Sequence, residues 1–215
     1  MKKLQFNPQY IRTLGFAGCT ASGKSTFVRD LKENLPEGAV TILSLDNYYK
    51  PKDQQPRDSI TQEINFDLPE CFFWDEYLRD LRKLKAGLEV TRPEYLFGKE
   101  GVPPLIISRP SPIIIGEGLF LFHEDEVASE FDLKAYVDAM FLIRYGRRVE
   151  RDKAERSYDY RMPHIVITQV MPGEDFILAT KDKCDIVINN NISYERALDM
   201  LTRYCKTIFE ESKVL

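Results

Sequence analysis

Several absences narrow the field before any motif is read. No apolar run in the 215 residues approaches the ~20 that a membrane-spanning helix requires. Histidine is nearly missing, with only His123 and His164, and the four cysteines, Cys19, Cys71, Cys184 and Cys205, are scattered without a C-x-x-C. That excludes zinc-site spacings and offers no disulfide framework, so reduced thiols in a cytoplasmic protein are expected. Positive charge is not in excess either: 30 Lys and Arg against 34 Asp and Glu leave a net charge of −4. A general nucleic-acid binder is therefore disfavoured, although local basic clusters could serve a small polyanion. The N-terminus has basic residues but no apolar stretch behind them, so no signal peptide is expected. There is no repeat and no low-complexity tract. The remaining composition, 43% apolar and 30% charged, suits one domain over residues 1–215 with a sizeable core.

Against that background one stretch stands out. Gly18-Cys19-Thr20-Ala21-Ser22-Gly23-Lys24-Ser25 matches the phosphate-cradling pattern G-x-x-x-x-G-K-[ST]. Thr13 to Ala17, before it, is short and apolar enough for a buried strand. Thr26 to Leu35, after it, carries Phe27, Val28, Leu31 and Leu35 at helical spacing, and Pro36 stops it. A strand, a glycine turn and a helix start gather backbone N–H groups and a positive helix end around one phosphate. Residues Gly18 to Thr26 are thus assigned to ATP or another nucleoside triphosphate, with Lys24 on the β/γ-phosphates and Ser25 on magnesium.

The rest of the chain alternates strand and helix signals. Strands are expected at Val40–Leu45, Pro112–Gly116, Leu133–Val137 and Cys184–Ile188. Helices are expected after Asn65 to about Gly87, from Glu117 to Phe131, over Gly173–Thr180, and after a cap at Ser193. Residues 89–108 read as a β-hairpin off the main sheet, with a turn at Gly98 to Gly101. The fold class is α/β: a mostly parallel five-stranded sheet covered by helices on both faces. In such sheets ligands bind beyond the carboxyl ends of the strands, which selects the phosphate loop, Asp46, Glu117 and Asp138.

Phosphoryl transfer needs magnesium on the phosphate oxygens and profits from a carboxylate that takes the proton of an attacking hydroxyl. Asp46 suits the base role and can share the metal; Glu117 with Ser25 suits the metal role. Each could instead be an acid capping a helix at a βα turn. Segment 144–161 interleaves Arg144, Arg147, Arg148, Arg151, Arg156 and Arg161 with acids, and Arg144, Arg148, Arg151 and Glu155 share one helical face. Most of these form a solvated face; two or three are expected to close over the triphosphate as a lid over residues 144–165. Asp67 is open between a helix N-cap, with Pro69 and Glu70 following, and an acceptor for substrate hydroxyls. Tyr48, Tyr49 and Tyr95 are open between packing and a substrate pocket.

These residues resemble the uridine kinase branch of the phosphoribulokinase/uridine kinase family over nearly the whole chain. Residues 18–26 look like its phosphate loop, and Ser44-Leu45-Asp46-Asn47-Tyr48-Tyr49-Lys50 is similar to S-x-D-x-F-Y, whose Asp is the proposed base. Asn65-Phe66-Asp67-Leu68-Pro69-Glu70 resembles N-F-D-x-P-[DE], whose Asp holds ribose hydroxyls. Pro93-Glu94-Tyr95-Leu96-Phe97 resembles P-x-Y-D-F, whose Tyr lines the nucleobase pocket. Ile115 to Leu119 matches the metal-side x-x-E-G-[IL], and Arg147 to Arg156 the lid helix R-R-x-x-R-D-x-x-E-R. The resemblance implies a P-loop kinase fold, ATP, magnesium and a small-molecule acceptor, with no nucleic acid and no membrane, and it allows a homo-oligomer. It assigns catalysis to Asp46, Lys24, Arg148, Arg151 and Arg156, the acceptor to Asp67, Tyr49, Tyr95 and Arg148, and the metal to Ser25, Asp46 and Glu117. The chain departs from the pattern at Leu96, at Ser157-Tyr158 in the lid, and at the hairpin turn, which has no histidine. The resemblance implies the 5′-hydroxyl of uridine or cytidine as the acceptor, and these departures leave another riboside, a sugar or a vitamin, or a non-catalytic nucleotide-binding regulator, as the alternative. A nucleotide switch would want a guanine-reading N-K-x-D, and Thr180-Lys181-Asp182-Lys183 lacks its final Asp.

Overall fold

The strand that leads into the phosphate loop, β1 (Arg12–Ala17), lies at the centre of a five-stranded sheet. A computed structural model of the chain describes residues 6–57, 62–96, 101–156 and 170–213, with backbone alone at 155 and 156. The sheet order is β2 (Val40–Ser44), β5 (Ile113–Glu117), β1, β6 (Leu133–Asp138), β7 (Ile186–Asn189), and every pairing is parallel. Leu14 stands opposite Ile115 on one side and Leu133 on the other. The fully parallel sheet meets the α/β expectation.

Both faces of the sheet are covered because the strands alternate. Leu14, Phe16, Ile113, Ile115, Ala135 and Val137 point to one side, where Phe27, Val28 and Leu31 of α1 (Lys24–Glu33) and Leu201, Cys205 and Ile208 of α6 (Glu195–Glu211) meet them. Ile114, Leu43 and Tyr136 point to the other, against Tyr77, Leu81 and Leu84 of α2 (Trp74–Lys85) and Phe120 to Phe122. Each fully buried Leu, Ile or Phe contributes about 1.5–3 kcal/mol. α2 carries Asp75 and Glu76 in its first turn and Arg82, Lys83 and Lys85 in its last, which complements the helix dipole.

Several expected boundaries move. The helix expected from Glu117 to Phe131 is only α3 (Asp125–Ala128), because Phe120, Leu121 and Phe122 go into the core from a turn. The helix expected from Asn65 starts at Trp74 and is preceded by a separate 3-10 turn, Pro69–Cys71, whose N-terminal neighbour is Leu68. Asp67 therefore caps no helix. The expected hairpin is β3 (Val90–Pro93) paired antiparallel with β4 (Leu105–Ser108), apart from the main sheet. Its turn at 98–100 lies outside the described residues. So do Arg161, His164 and the rest of the expected lid beyond α4 (Phe141–Arg156), together with the side chain of Arg156.

The helix expected at Gly173–Thr180 is α5 (Met171–Leu178), and one close approach sets its position. A Cβ on Gly173 would run into the backbone carbonyl oxygen of Asp67. Alanine favours an unconstrained helix by about 1 kcal/mol over glycine. Gly173→Ala is expected to do the opposite here, destabilising by about 1–3 kcal/mol through overpacking. Chemical denaturation checks the sign, and a stabilised variant would show that α5 does not need this contact.

Candidate active site

The carboxyl ends of β1, β2, β5 and β7 converge on the phosphate loop. The loop runs from Gly18 into α1 through Ala21, at φ 57°, and Gly23, at φ 91°. An alanine in the left-handed region is strained, so the surroundings must hold the loop. One such hold is Asn190, whose Nδ2 donates to the carbonyl of Ser22 at 2.7 Å. Asn190 itself is tied to β6 by its N–H on the carbonyl of Asp138, also at 2.7 Å. A Cβ on Gly23 would collide with the Asn190 amide. Asn190 escaped the sequence reading, although its place one residue past β7 puts it under the same strand-end rule that selected Asp46 and Glu117.

Lys24 opens α1 and is buried. A cation in the first turn runs against the helix dipole, and here Glu117, at the end of β5, answers it with a buried ion pair. The same carboxylate accepts hydrogen bonds from Ser25 Oγ at 3.0 Å and Ser44 Oγ at 2.5 Å. Burial acts to raise the Glu117 pKa, but the charge of Lys24 and the bonds from Lys24, Ser44 and Ser25 outweigh it and hold the carboxyl below the ordinary range. An ionised carboxylate beside a serine hydroxyl is a hard-oxygen donor set of the kind magnesium shares with phosphate oxygens. Among the described residues no three His, Cys, Asp or Glu cluster to hold a metal unaided.

Ser44 has a second contact: its Oγ accepts the N–H of Asp46 at 3.4 Å and so starts the 3-10 turn Leu45–Tyr48. The serine of S-x-D thus joins the Asp46 turn to Glu117, a link not visible in sequence spacing. Cys19 is buried with its sulfur 3.3 Å from the Tyr136 hydroxyl. Burial pushes its thiol up to about 11, so it fills the loop and is not a reactive thiolate.

Beside the Asp46 turn the structure brings Tyr49, Tyr95 and Asp67 together. The Tyr49 ring lies 4.9 Å from Tyr95 and 4.2 Å from Phe72 between centroids, and its hydroxyl donates to the carbonyl of Phe66 at 3.2 Å. Its hydroxyl pKa is pushed well up, first by burial and then by the nearby charges of Asp46 and Asp67. Asp67 lies 3.6 Å from Nη2 of Arg148. Arg148 and Asp152 are both buried, with Nε of Arg148 3.4 Å from Asp152, and Arg151 donates to Asp152 at 2.9 Å.

The arginine segment divides accordingly. Arg144 does not join Arg148 and Arg151. It is buried in a two-pronged pair with Glu174 of α5 and donates from Nε to the carbonyl of Ala139 at 2.8 Å. It ties α4 to α5. Arg147 reaches the other way, donating to the Asn190 carbonyl at 3.2 Å. Asp138, selected by the strand-end rule, is paired with Lys181 at 2.7 Å.

Known proteins share both pattern and fold. The sequence model of the "Phosphoribulokinase / Uridine kinase family" matches residues 13–194. A uridine kinase of Borrelia turicatae is 32% identical over 95% of this chain and 98% of its own length. Uridine-cytidine kinase B of Dictyostelium discoideum is 30% identical over 93% of this chain and 83% of its own. Among solved structures, a possible uridine kinase from Bacillus stearothermophilus superposes with TM-score 0.59 at 21% identity, over 82% of this chain and 88% of that one. Phosphoribulokinase from Rhodobacter spheroides does so with TM-score 0.61 at 17% identity, over 84% and 70%. These two likenesses are of fold. No helix among the described residues is long and apolar enough to cross a membrane. With the family's sequence model over most of the chain, relatives at 30% and above along nearly its full length, and a phosphate loop at the centre of a parallel sheet, this chain belongs to the phosphoribulokinase/uridine kinase family.

Proposed function

We propose that the chain transfers the γ-phosphoryl group of ATP to the 5′-hydroxyl of uridine or cytidine. The supporting observation is the meeting of Asp67, paired with Arg148, and the Tyr49–Tyr95 aromatic wall on the side of the site facing the Asp46 turn. In this reading Asp67 accepts the ribose hydroxyls and the two tyrosines hold the base by ring contact. Asp46 takes the proton of the 5′-hydroxyl as its oxygen attacks the γ-phosphorus and the bond to the β-phosphate oxygen breaks. Lys24, Arg148 and Arg151, with Arg156, neutralise charge on the phosphates. Magnesium, when bound, would neutralise and orient the phosphate oxygens, and Ser25, Glu117 and Asp46 are the residues assigned to hold it. All four cysteines are free, which suits the reducing cytoplasm.

An ATP-consumption assay across uridine, cytidine, purine nucleosides, sugars and vitamins tests the acceptor. Turnover with a pyrimidine nucleoside is the expected result. Turnover confined to a sugar or a vitamin would keep the mechanism and overturn the nucleoside. The relatives named uridine kinase and uridine-cytidine kinase favour the first outcome.

A further inference from the structure

Arg92 stands immediately before the Pro93-Glu94-Tyr95 stretch of the hairpin and belongs to none of the motifs above. Its side chain is 13% exposed, and its guanidinium touches two other elements at once, the 3-10 turn Leu45–Tyr48 and α2. Its Cζ lies over the Tyr48 ring, 3.4 Å from the ring centroid, and Nε donates to the backbone carbonyl of Asn47 at 3.0 Å. Nη1 donates to Asp80 of α2 at 3.3 Å, and Nη2 lies 3.5 Å from Glu76. The Tyr48 hydroxyl donates to the same Asp80 oxygen at 3.2 Å, so cation, ring and carboxylate form one closed cluster under the hairpin.

The cluster sits against the segment that carries Asp46. Asn47 is the next residue, and the hairpin holds it twice: Arg92 bonds its carbonyl, and its side-chain Oδ1 accepts the N–H of Tyr95 at 3.1 Å. The second bond anchors the backbone whose ring packs against Tyr49, tilted by 33°. A two-stranded hairpin is marginal by itself in water, and this one leaves Leu105 and Ile107 exposed on its outer side. Val90 anchors its start in the core, and the end that carries Tyr95 is held by such ties. Arginine suits the task because one planar group stacks on an aromatic face and donates in several directions, which lysine cannot reproduce.

We propose that Arg92 is a positioning residue that sets the distance between the Asp46 turn and the Tyr49–Tyr95 wall, and thereby the alignment of the acceptor hydroxyl. The proposal rests on the acceptor reading given above. Arg92 acts through Asn47 and Tyr48 and touches no reacting atom. A misplacement of about 1 Å in such a site can cost on the order of 10²-fold in rate.

Arg92→Met keeps the length of the side chain and removes the guanidinium. Asp80 then still has Arg79 at 3.3 Å and Lys83 at 3.6 Å, which favours a folded variant. Two readouts apply. Hydrogen exchange at the amides of Tyr95 and residues 46–49 is expected to rise by about tenfold or more while β1 and β5 stay protected. With uridine as the probe, kcat/KM for the acceptor is expected to fall by about tenfold or more while KM for ATP stays within about twofold. Arg92→Lys should recover only part of the loss. If Arg92→Met does not fold, Asn47→Ala removes the Tyr95 bond alone and is expected to raise the acceptor KM. Unchanged exchange overturns the proposal, as does faster exchange with unchanged acceptor kinetics, or an equal rise in both KM values. A wild-type protein that phosphorylates no pyrimidine nucleoside overturns the acceptor reading instead, and the exchange at Tyr95 and 46–49 then decides whether Arg92 couples the two segments.

Discussion

Asp46→Asn is expected to lower kcat for acceptor phosphorylation by about 10²–10⁴-fold, the range for loss of a general base. The side chains are nearly isosteric, and the turn that carries Asp46 begins with a bond from its backbone N–H to Ser44, which the substitution leaves in place. The thermal midpoint should therefore hold, and with magnesium and nucleotide saturating, so that the share of Asp46 in holding the metal does not enter, the loss falls on the chemical step and not on assembly of the site. Single-turnover kinetics with saturating acceptor separate the two. Activity that survives nearly unchanged would remove Asp46 from the base role and with it the proposed mechanism. It would also point the search for the proton acceptor to Asp67, the other carboxylate beside Tyr49.

Lys24→Met should have the largest combined effect on binding and stability. Removing one charge-stabilising donor from a phosphoryl-transfer site costs about 10²–10³-fold in kcat. In the nucleotide-free protein the same change leaves Glu117 buried without its cation. Breaking a buried pair in this way costs about 3–5 kcal/mol. The pH dependence identifies the cause. In the wild type the folded-state pKa of Glu117 is depressed, so its contribution is present above the ordinary glutamate value of about 4.3 and is lost as pH falls through the folded value. Without Lys24, burial becomes the dominant influence and the folded-state pKa rises above the unfolded one. The carboxyl then opposes the folded state increasingly as pH rises. The gap in thermal midpoint between wild type and Lys24→Met is thus expected to be wide near pH ~8 and narrower near pH ~5. An equal gap at both values would mean that the loss comes from packing of the lysine stem and not from the unpaired carboxylate.

Local patterns made much of the nucleotide half legible. The run Gly18 to Ser25 with its flanks specified strand, loop and helix start within about twenty residues, and the strand and helix fall there within two residues of the expected bounds. Glu117 was found because an apolar strand ends on it, and the structure buries it against Lys24 and Ser25. Where local spacing misled, a distant partner had intervened. Asp67-Leu68-Pro69-Glu70 has the composition of a helix start, yet Asp67 lies against Arg148 and the helix begins later. Arg144 shares a helical face with Arg148 and Arg151 by spacing, yet it is taken up by Glu174 while Arg148 faces Asp67.

The sequence by itself determined the parallel α/β sheet, the family and the strand–loop–helix around Gly18 to Ser25, because each depends on residues within one turn, one strand or one loop of each other. Only the tertiary structure decided how the two ends are held in register. Asn190 supports the phosphate loop from 168 residues away, Arg92 grips Asn47 from 45, and Arg144 grips Glu174 from 30. Such contacts follow from which strands neighbour each other and which side chains are left without water once the core closes. A buried cation or amide then takes the nearest polar group, and no spacing along the chain encodes which group that is.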